Sequence, residues 1–336
     1  MTTATELPIP DFFDPAKVLQ VWRVPYQERA AQARQWAQQY RIPPAKEDQQ
    51  RTILLLIDVQ NTFCLPEFEL FVQGAVADNQ RLCRFIYTHL AHISEIIVTL
   101  DTHTASQIFH PLFWIDANGE PPPPLTIITV DDVQCGRWQP NPQLLASLGL
   151  TDQQSLQAYA QHYVAQLAAK GKFPLTIWPY HSMLGGIGHA LVSAVEEACF
   201  FHTVARQQQT RIELKGSHPL TENYSVLRPE VNHDLQGHPL VPVNTALIEH
   251  LLAGDRLIIA GQAKSHCVAW TVADLLSEIQ QRDAQLAQRV YLLEDCMSPV
   301  VVPGVVDFSE AANATFAEFA AAGMQRITTS STPLNL

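Results

Sequence analysis

Short strand-like runs alternate with helix-like stretches along most of the chain. ILLLI at 53–57 is continuously apolar, which is typical of a strand buried on both faces of a parallel sheet. Further strands are predicted at 95–100, 211–214, 256–261, 290–295 and 325–329. Helical patterns lie between them, near 79–92, 187–206, 244–253, 266–282 and 309–323. This alternation predicts an α/β fold: a doubly wound, mostly parallel sheet with helices on both faces.

Two segments stand outside the alternation. Residues 1–50 are polar and helical in pattern, with RAAQARQWAQQY amphipathic and Pro43-Pro44 closing it, and they predict an N-terminal helical arm. GEPPPP at 119–124 can neither continue a helix nor lie in a central strand, so 115–173 is predicted to be an insertion, helical around 152–170. We expect a main domain over 51–336 that carries this insertion. Both extra segments are candidates to cover a crevice, narrow it or form a subunit interface.

Composition excludes several classes of protein. The chain has 336 residues and a formal net charge of −12, which argues against nucleic-acid binding. Its apolar runs stay well short of the roughly 20 residues of a membrane span, and its start lacks the pattern of a signal peptide. Six scattered cysteines without paired spacing are expected to be reduced thiols. We therefore expect a cytoplasmic protein.

Three reactive residues follow predicted strands. Asp58 comes after ILLLI, Lys215 after RIEL, and Cys267 just after LIIAG at the start of a helix. Because ligand crevices in open α/β sheets lie outside the carboxyl ends of strands, these residues are expected to converge. A thiol at a helix N-terminus near a cation is a competent nucleophile, and a carboxylate is able to take its proton. Taken singly, each residue has an ordinary structural interpretation: core packing, a turn and a surface charge.

Three segments carry a resemblance to a known family. LLLIDVQNTF (54–63), KGSHPLTENYSVL (215–227) and GQAKSHCVAWTVADL (261–275) resemble, in this order, the conserved segments of nicotinamidases and related cysteine hydrolases. The resemblance implies an isochorismatase-like hydrolase fold for the main domain. It also implies a triad of Cys267 as nucleophile, Asp58 as general base and Lys215 as third member. A cis peptide at Gln262–Ala263, with the N–H groups of Ala263 and Cys267 as an oxyanion hole, is implied as well.

A second constellation predicts a metal site. Asp101 and His103 are two apart after a predicted strand, which puts both side chains on one side, and His181 ends the motif WPYH. One carboxylate and two imidazoles suit a divalent Zn, Fe or Mn ion with open positions. The resemblance agrees, since nicotinamidases use an Asp-x-His and a Trp-Pro-x-His motif. His110 and Gln107 compete as a fourth ligand, and for His110 a structural role is favoured.

Three aromatic residues are candidates for substrate contact. Phe63 and Trp178 match the aromatic residues with which the family sandwiches a planar ring, and Tyr224 lies in the lysine segment. Ordinary core burial is an equal alternative for Phe63 and Trp178.

The sequence departs from the family in the nucleophile loop. An Ala-Thr-Asp-x-Cys pattern is replaced here by Ala263-Lys264-Ser265-His266-Cys267, which leaves the triad in place but opens the question of substrate. We expect a metal-assisted cysteine amidohydrolase, in a homo-oligomer, that cleaves a small nicotinamide-like carboxamide through a thioester. The alternatives are an isochorismatase-type hydrolase that acts on a non-amide substrate, and a catalytically silent binding or scaffold protein of the same fold.

Overall fold

A computed structural model describes residues 6–171 and 173–330. The first five residues of the predicted arm, residue 172 of the predicted insertion and residues 331–336 lie outside the described residues. The α-helices of the described residues are α1 Tyr26–Gln39, α2 Asn61–Cys64, α3 Ala75–Thr88, α4 Val130–Gln134, α5 Gln153–Ala169, α6 Ser193–Arg206, α7 Thr245–Leu252, α8 Ala269–Arg282 and α9 Ser309–Ala321. The strands are β1 Thr52–Ile57, β2 Glu95–Asp101, β3 Trp114–Ile115, β4 Ile127–Ile128, β5 Gln139–Pro140, β6 Leu175–Thr176, β7 Arg211–Lys215, β8 Arg256–Gly261, β9 Val290–Leu293, β10 Val301–Val302, β11 Val306–Asp307 and β12 Gln325–Ile327.

A six-stranded sheet forms the centre of the fold. Its strand order is β12-β9-β8-β1-β2-β7. β1 runs parallel to both β2 and β8, and β9 runs parallel to β8 and β12. Every residue of β1 is buried, as its continuous apolar run predicts for a strand covered on both faces. The predicted α/β fold with a mostly parallel sheet is confirmed.

The predicted elements agree with the observed ones apart from their ends. α6 begins at Ser193 and not near 187, because Leu191 forms an antiparallel bridge with Gln60 and the residues on both sides of Leu191 are hydrogen-bonded to the same segment. The strand predicted at 290–295 ends at Leu293, where a short 3₁₀ turn over Glu294–Cys296 begins. Ends such as these depend on tertiary contacts that local patterns do not carry.

The chain divides into two compact units. The first contains the described residues of 1–100, 190–213 and 245–336. The N-terminal segment is part of its packing: Arg29 of α1 donates to Glu197 of α6 at 2.7 Å, and its guanidinium lies 4.0 Å from the centre of the Phe12 ring. These contacts do not test the predicted division into an arm over 1–50 and a main domain, which stays a prediction.

The second unit consists of 101–189 and 214–244, and it includes the predicted insertion. Within it, β3 pairs with β5 and β4 with β6, each pair antiparallel. α5 contacts the segment that follows Lys215, since Tyr159 donates its hydroxyl to the Leu220 carbonyl at 2.8 Å. Tyr163 accepts the Glu222 N–H at 3.2 Å. The insertion thus supports the lysine segment.

Among residues 6–171 and 173–330, no helix is long and apolar enough to cross a membrane.

Candidate active site

Asp58 is fixed at the carboxyl end of β1. Its side chain is fully buried, and its backbone is left-handed, with φ of 47°. Its N–H donates to the Thr99 hydroxyl at 3.0 Å, and this hydroxyl in turn donates to Asp58 Oδ1. Thr99 of β2 therefore holds both the backbone and the carboxylate of Asp58 in place.

The loop after β8 is held from several sides. The Gln262–Ala263 peptide is cis, as the resemblance implies. The Gln262 N–H donates to Ile57 O at 2.8 Å, next to Asp58. The Gln262 side chain donates to Asp78 at 2.8 Å and accepts the Ser298 N–H at 3.1 Å. This buried amide ties the nucleophile loop to α3 and to the segment after β9.

Cys267 lies in a π-helical turn, Lys264–Val268, that leads directly into α8. Its side chain is buried, with 7% of the residue exposed. Among the described residues, the Ala263 N–H has no hydrogen-bond acceptor. Since Ile57 of β1 stands opposite Gly261 of β8, Asp58 and the Cys267 loop leave the sheet at the same edge. Both residues belong to the first unit, and the meeting of their side chains in one pocket stays a prediction.

Other cysteines are held as neutral thiols. Burial raises the pKa of Cys64 and of Cys199 to about 12. Burial likewise raises the pKa of Cys83 and Cys296. All six cysteines are free, as expected. Thiols in such environments are inert, so Cys64 and Cys296 are assigned to core packing.

Lys264 and Ser265, at which the nucleophile loop departs from the family pattern, make structural contacts. Lys264 donates to Glu294 and to Asn313, each at 2.9 Å, and lies over the Phe316 ring. Ser265 accepts the Val300 N–H at 3.0 Å, so its hydroxyl proton is available to His266 Nδ1 at 2.8 Å. The added cation therefore joins the loop to α9 and the segment after β9.

The predicted metal ligands form one buried cluster in the second unit. Ligand atoms of Asp101, His103 and His181 all lie within 4.8 Å of one another. Asp101 Oδ2 is 2.8 Å from His103 Nε2 and 3.6 Å from His181 Nε2. His103 is held through its backbone, which accepts from Leu184 and donates to Ser182, each at 3.0 Å.

The hydrogen bonds of the His103 and His181 rings leave the Nε2 atoms facing a place that suits a cation. His103 Nδ1 lies 3.0 Å from the Gly216 carbonyl, and His181 Nδ1 lies 2.8 Å from the Pro179 carbonyl. A carbonyl only accepts, so Nδ1 carries a proton in both rings, and each Nε2 faces Asp101. A proton on Nε2, or a metal ion between the three groups, satisfies this arrangement. A backbone acceptor on the far nitrogen is the usual support of a metal-bound histidine.

Lys215 lies against this cluster. Its Nζ donates to Asp101 Oδ1 and to the Asn223 carbonyl, each at 2.8 Å. Burial raises the pKa of Asp101, but its electrostatic interactions with His103 and Lys215 outweigh this effect and hold that pKa well below its usual range. Asp101 is therefore ionised, as a metal ligand has to be.

Gln107 and His110 differ in their contacts. The Gln107 amide donates to the Gly216 carbonyl and accepts the Thr104 N–H at 3.3 Å. Its nitrogen and its oxygen are therefore both hydrogen-bonded to backbone groups. His110 Nδ1 lies 3.0 Å from the Thr104 carbonyl, and its buried Nε2 has no partner among the described residues. Its ring centre is 5.7 Å from that of His103 and 5.5 Å from that of His181. Of these two residues, His110 is therefore the one whose side chain has a nitrogen available for a metal ion.

Two of the three aromatic candidates lie together. Trp178 Nε1 donates to the Tyr224 hydroxyl at 3.2 Å, and both side chains are buried in the second unit. Phe63 is buried on α2 in the first unit.

Several residues of this site escape prediction. Thr99, the side chain of Gln262 and Gly216 act through contacts with residues distant in sequence. Gly216 has φ of 79°, and a Cβ there would lie 2.6 Å from His103 Cε1. The only signal for it is the Lys-Gly pair of the resemblance.

Known proteins share this fold. A nicotinamidase/pyrazinamidase of Acinetobacter baumanii is 17% identical with a TM-score of 0.52, and the match covers 84% of this chain and 99% of that one. The yeast nicotinamidase bound to the inhibitor nicotinaldehyde is 19% identical with a TM-score of 0.51, over 82% of this chain and 99% of that one. No protein-family model and no curated protein matches the chain.

The chain has the isochorismatase-like hydrolase fold. Its structural neighbours include nicotinamidases, and at these identities the likeness shows the fold alone.

Proposed function

We propose that this protein is a metal-dependent cysteine amidohydrolase that cleaves a small, nicotinamide-like carboxamide. The observation that carries the proposal is the buried Asp101–His103–His181 cluster, whose two Nε2 atoms are directed at one carboxylate. A binding module of the same fold has no need of such a cluster. The nucleophile loop with Cys267 adds the reactive group.

Cys267 is the proposed nucleophile and Asp58 its base. The thiol proton passes to Asp58, and the sulfur forms a bond to the amide carbon, whose oxygen is held by the N–H groups of Ala263 and Cys267. When the C–N bond breaks, Asp58 returns the proton to the departing ammonia. Water, deprotonated by Asp58, then cleaves the thioester and releases the acid and the thiol.

Lys215 is proposed as the third member of the triad. A buried ammonium favours the ionised forms of a nearby carboxylate and thiolate. Trp178, Tyr224 and Phe63 are proposed to contact the planar part of the substrate. Their apolar surfaces suit an aromatic ring, and the Tyr224 hydroxyl adds a polar group.

Asp101, His103 and His181 would hold the metal, with Zn, Fe or Mn suited to this donor set. A bound ion would supply a positive charge that attracts a ring nitrogen or another polar group of the substrate.

An ammonia-release screen tests the proposal. Nicotinamide, pyrazinamide and aliphatic amides are compared before and after chelation, with zinc, iron or manganese added back. We expect release from an aromatic carboxamide, lost on chelation and restored by one of the metals. Hydrolysis of isochorismate without ammonia and without metal would instead identify the non-amide alternative.

Thiol labelling separates an enzyme from a scaffold. In a Cys135→Ala background, which removes the exposed cysteine, iodoacetamide at pH 6 is expected to modify Cys267 alone. Cys64 and Cys199, whose pKa values burial raises to about 12, serve as internal controls. Equal resistance of all the remaining cysteines would argue for a silent protein.

A further inference from the structure

A cavity lies in the first unit at the amino ends of β1 and β8. Its volume is about 260 Å³, and Asp48, Gln50, Thr52, His92 and Arg256 are among the residues that line it. β8 runs six residues from Arg256 to Gly261, a rise of roughly 17 Å, so the cavity opens at the edge of the sheet opposite to Asp58 and Cys267. The proposed hydrolysis makes no use of it.

Arg256 brings an unbalanced charge to this cavity. Its Nη1 atom is buried and has no hydrogen-bond partner among residues 6–171 and 173–330. The neighbouring carboxylate of Asp255 accepts the Arg51 N–H at 2.7 Å, and no ion pair joins Arg256 to a described acid. Because no described acid is paired with it, the Arg256 guanidinium keeps an uncompensated positive charge beside the cavity.

Asp48, the carboxylate among the lining residues, does not balance this charge. Arg206, which is fully buried, donates to both oxygens of Asp48. The Ser94 hydroxyl donates to the same group at 2.5 Å. Asp48 and Arg206 therefore neutralise each other, and Arg256 leaves the cavity with one net positive charge.

The positive charges around the cavity also affect the pKa of His92. Burial lowers the pKa of His92, and the charges of Arg206 and Arg256 lower it further, while Asp48 opposes them. A neutral imidazole keeps one N–H donor. The cavity thus combines a guanidinium with a second donor and has no uncompensated acid among its lining residues.

We propose that this cavity binds a small oxyanion of the phosphate class, with Arg256 as its principal ligand and His92 as a second donor. The planar guanidinium matches two phosphate oxygens with parallel hydrogen bonds. The volume is below the roughly 300–1,000 Å³ of sites for drug-sized molecules, which favours inorganic phosphate or a short phosphate ester.

Calorimetric titration of the whole protein with inorganic phosphate at pH 7.5 tests the proposal. Sodium chloride keeps the ionic strength constant, and the metal is removed beforehand. We expect saturable binding of one phosphate. Arg256→Gln is expected to weaken it by about tenfold or more, since a charged hydrogen-bond donor is lost. Arg289→Gln removes the same charge from an exposed site and should change nothing.

A second substitution guards against misfolding of Arg256→Gln. Gln50→Glu has nearly the same shape and adds a negative charge to the exposed rim, so it is expected to weaken phosphate binding. Gln281→Glu on α8 is its matched control. Ammonia release by Arg256→Gln should equal that of the unmodified protein, which separates this site from the proposed hydrolysis.

Two results would overturn the proposal. One is the absence of saturable phosphate binding at millimolar concentration. The other is binding that survives unchanged in both Arg256→Gln and Gln50→Glu, which would place the anion elsewhere.

Discussion

Lys215 donates a hydrogen bond to Asp101 at 2.8 Å, within a buried ion pair. The lysine that the sequence resemblance assigns to the catalytic triad is thus bonded to the carboxylate of the metal cluster. Two sets of residues that the sequence treats as separate are joined by this contact. A substitution at either residue is therefore expected to affect both hydrolysis and the metal.

Replacing Lys215 by Met tests its catalytic role. The substitution keeps an unbranched side chain but removes the cation, and we expect turnover to fall by about 100-fold or more. Ammonia release is measured with excess zinc, so that metal occupancy is not the variable. Lys215→Arg, which keeps the charge, should retain more activity than the Met variant. Normal turnover of Lys215→Met would remove Lys215 from the mechanism.

Gly216 allows the backbone to lie against the metal cluster. In Gly216→Ala, the new Cβ would lie 2.6 Å from His103 Cε1 and 2.9 Å from Asp101 Oδ1. We expect this variant to lose bound metal and about 1–3 kcal/mol of unfolding free energy. Metal analysis and thermal unfolding measure the two effects.

Gly237→Ala is the matched control. Gly237 has a similar φ of 83°, but an added Cβ meets nothing within 4 Å. This variant is expected to show only the backbone penalty and to keep its metal. Equal metal loss in the two variants would mean that the clash with His103 is not the cause.

His266 predicts a pH dependence of stability. Burial lowers its pKa from 6.5 to about 4, so the unfolded chain binds this proton more tightly than the folded protein does. Stability is therefore expected to fall as the pH drops from 6.5 toward 4, by up to about 1.4 kcal/mol per pH unit for one proton.

The comparison with His266→Gln isolates this residue. Unfolding by urea is measured between pH 7 and pH 4 for both proteins. The slope of unfolding free energy against pH should be smaller in the variant, by at most the contribution of one bound proton. Identical slopes would show that His266 titrates alike in the folded and unfolded chains.

The sequence predicted most of the sheet, and the reason is local. β1 is a continuous apolar run, and a run of this kind has one stable place in an α/β protein, the buried centre of the sheet. The spacing of Asp101 and His103 likewise put two ligands on one side of the chain. The cluster with His181 followed from motif order, and the structure places all three ligand atoms together.

The remaining contacts of the site could not be predicted, because they join residues far apart. Lys215 and Asp101 are separated by 114 positions, and Gln262 and Asp78 by 184. No periodicity relates such pairs. The role of Lys264 shows the same limit, since its charge is conspicuous next to the nucleophile in the sequence, yet a partly buried ion pair with Glu294 accounts for it.

Cys267→Ala provides the most direct test of the central claim, that the Cys267 thiol cleaves an amide. Ammonia release is measured with the metal-loaded protein and its best carboxamide, with Cys135→Ala as the control for loss of a cysteine. We predict no turnover in Cys267→Ala, an unchanged metal content and full activity in Cys135→Ala. Ammonia release at the normal rate without the Cys267 sulfur would contradict the proposed mechanism.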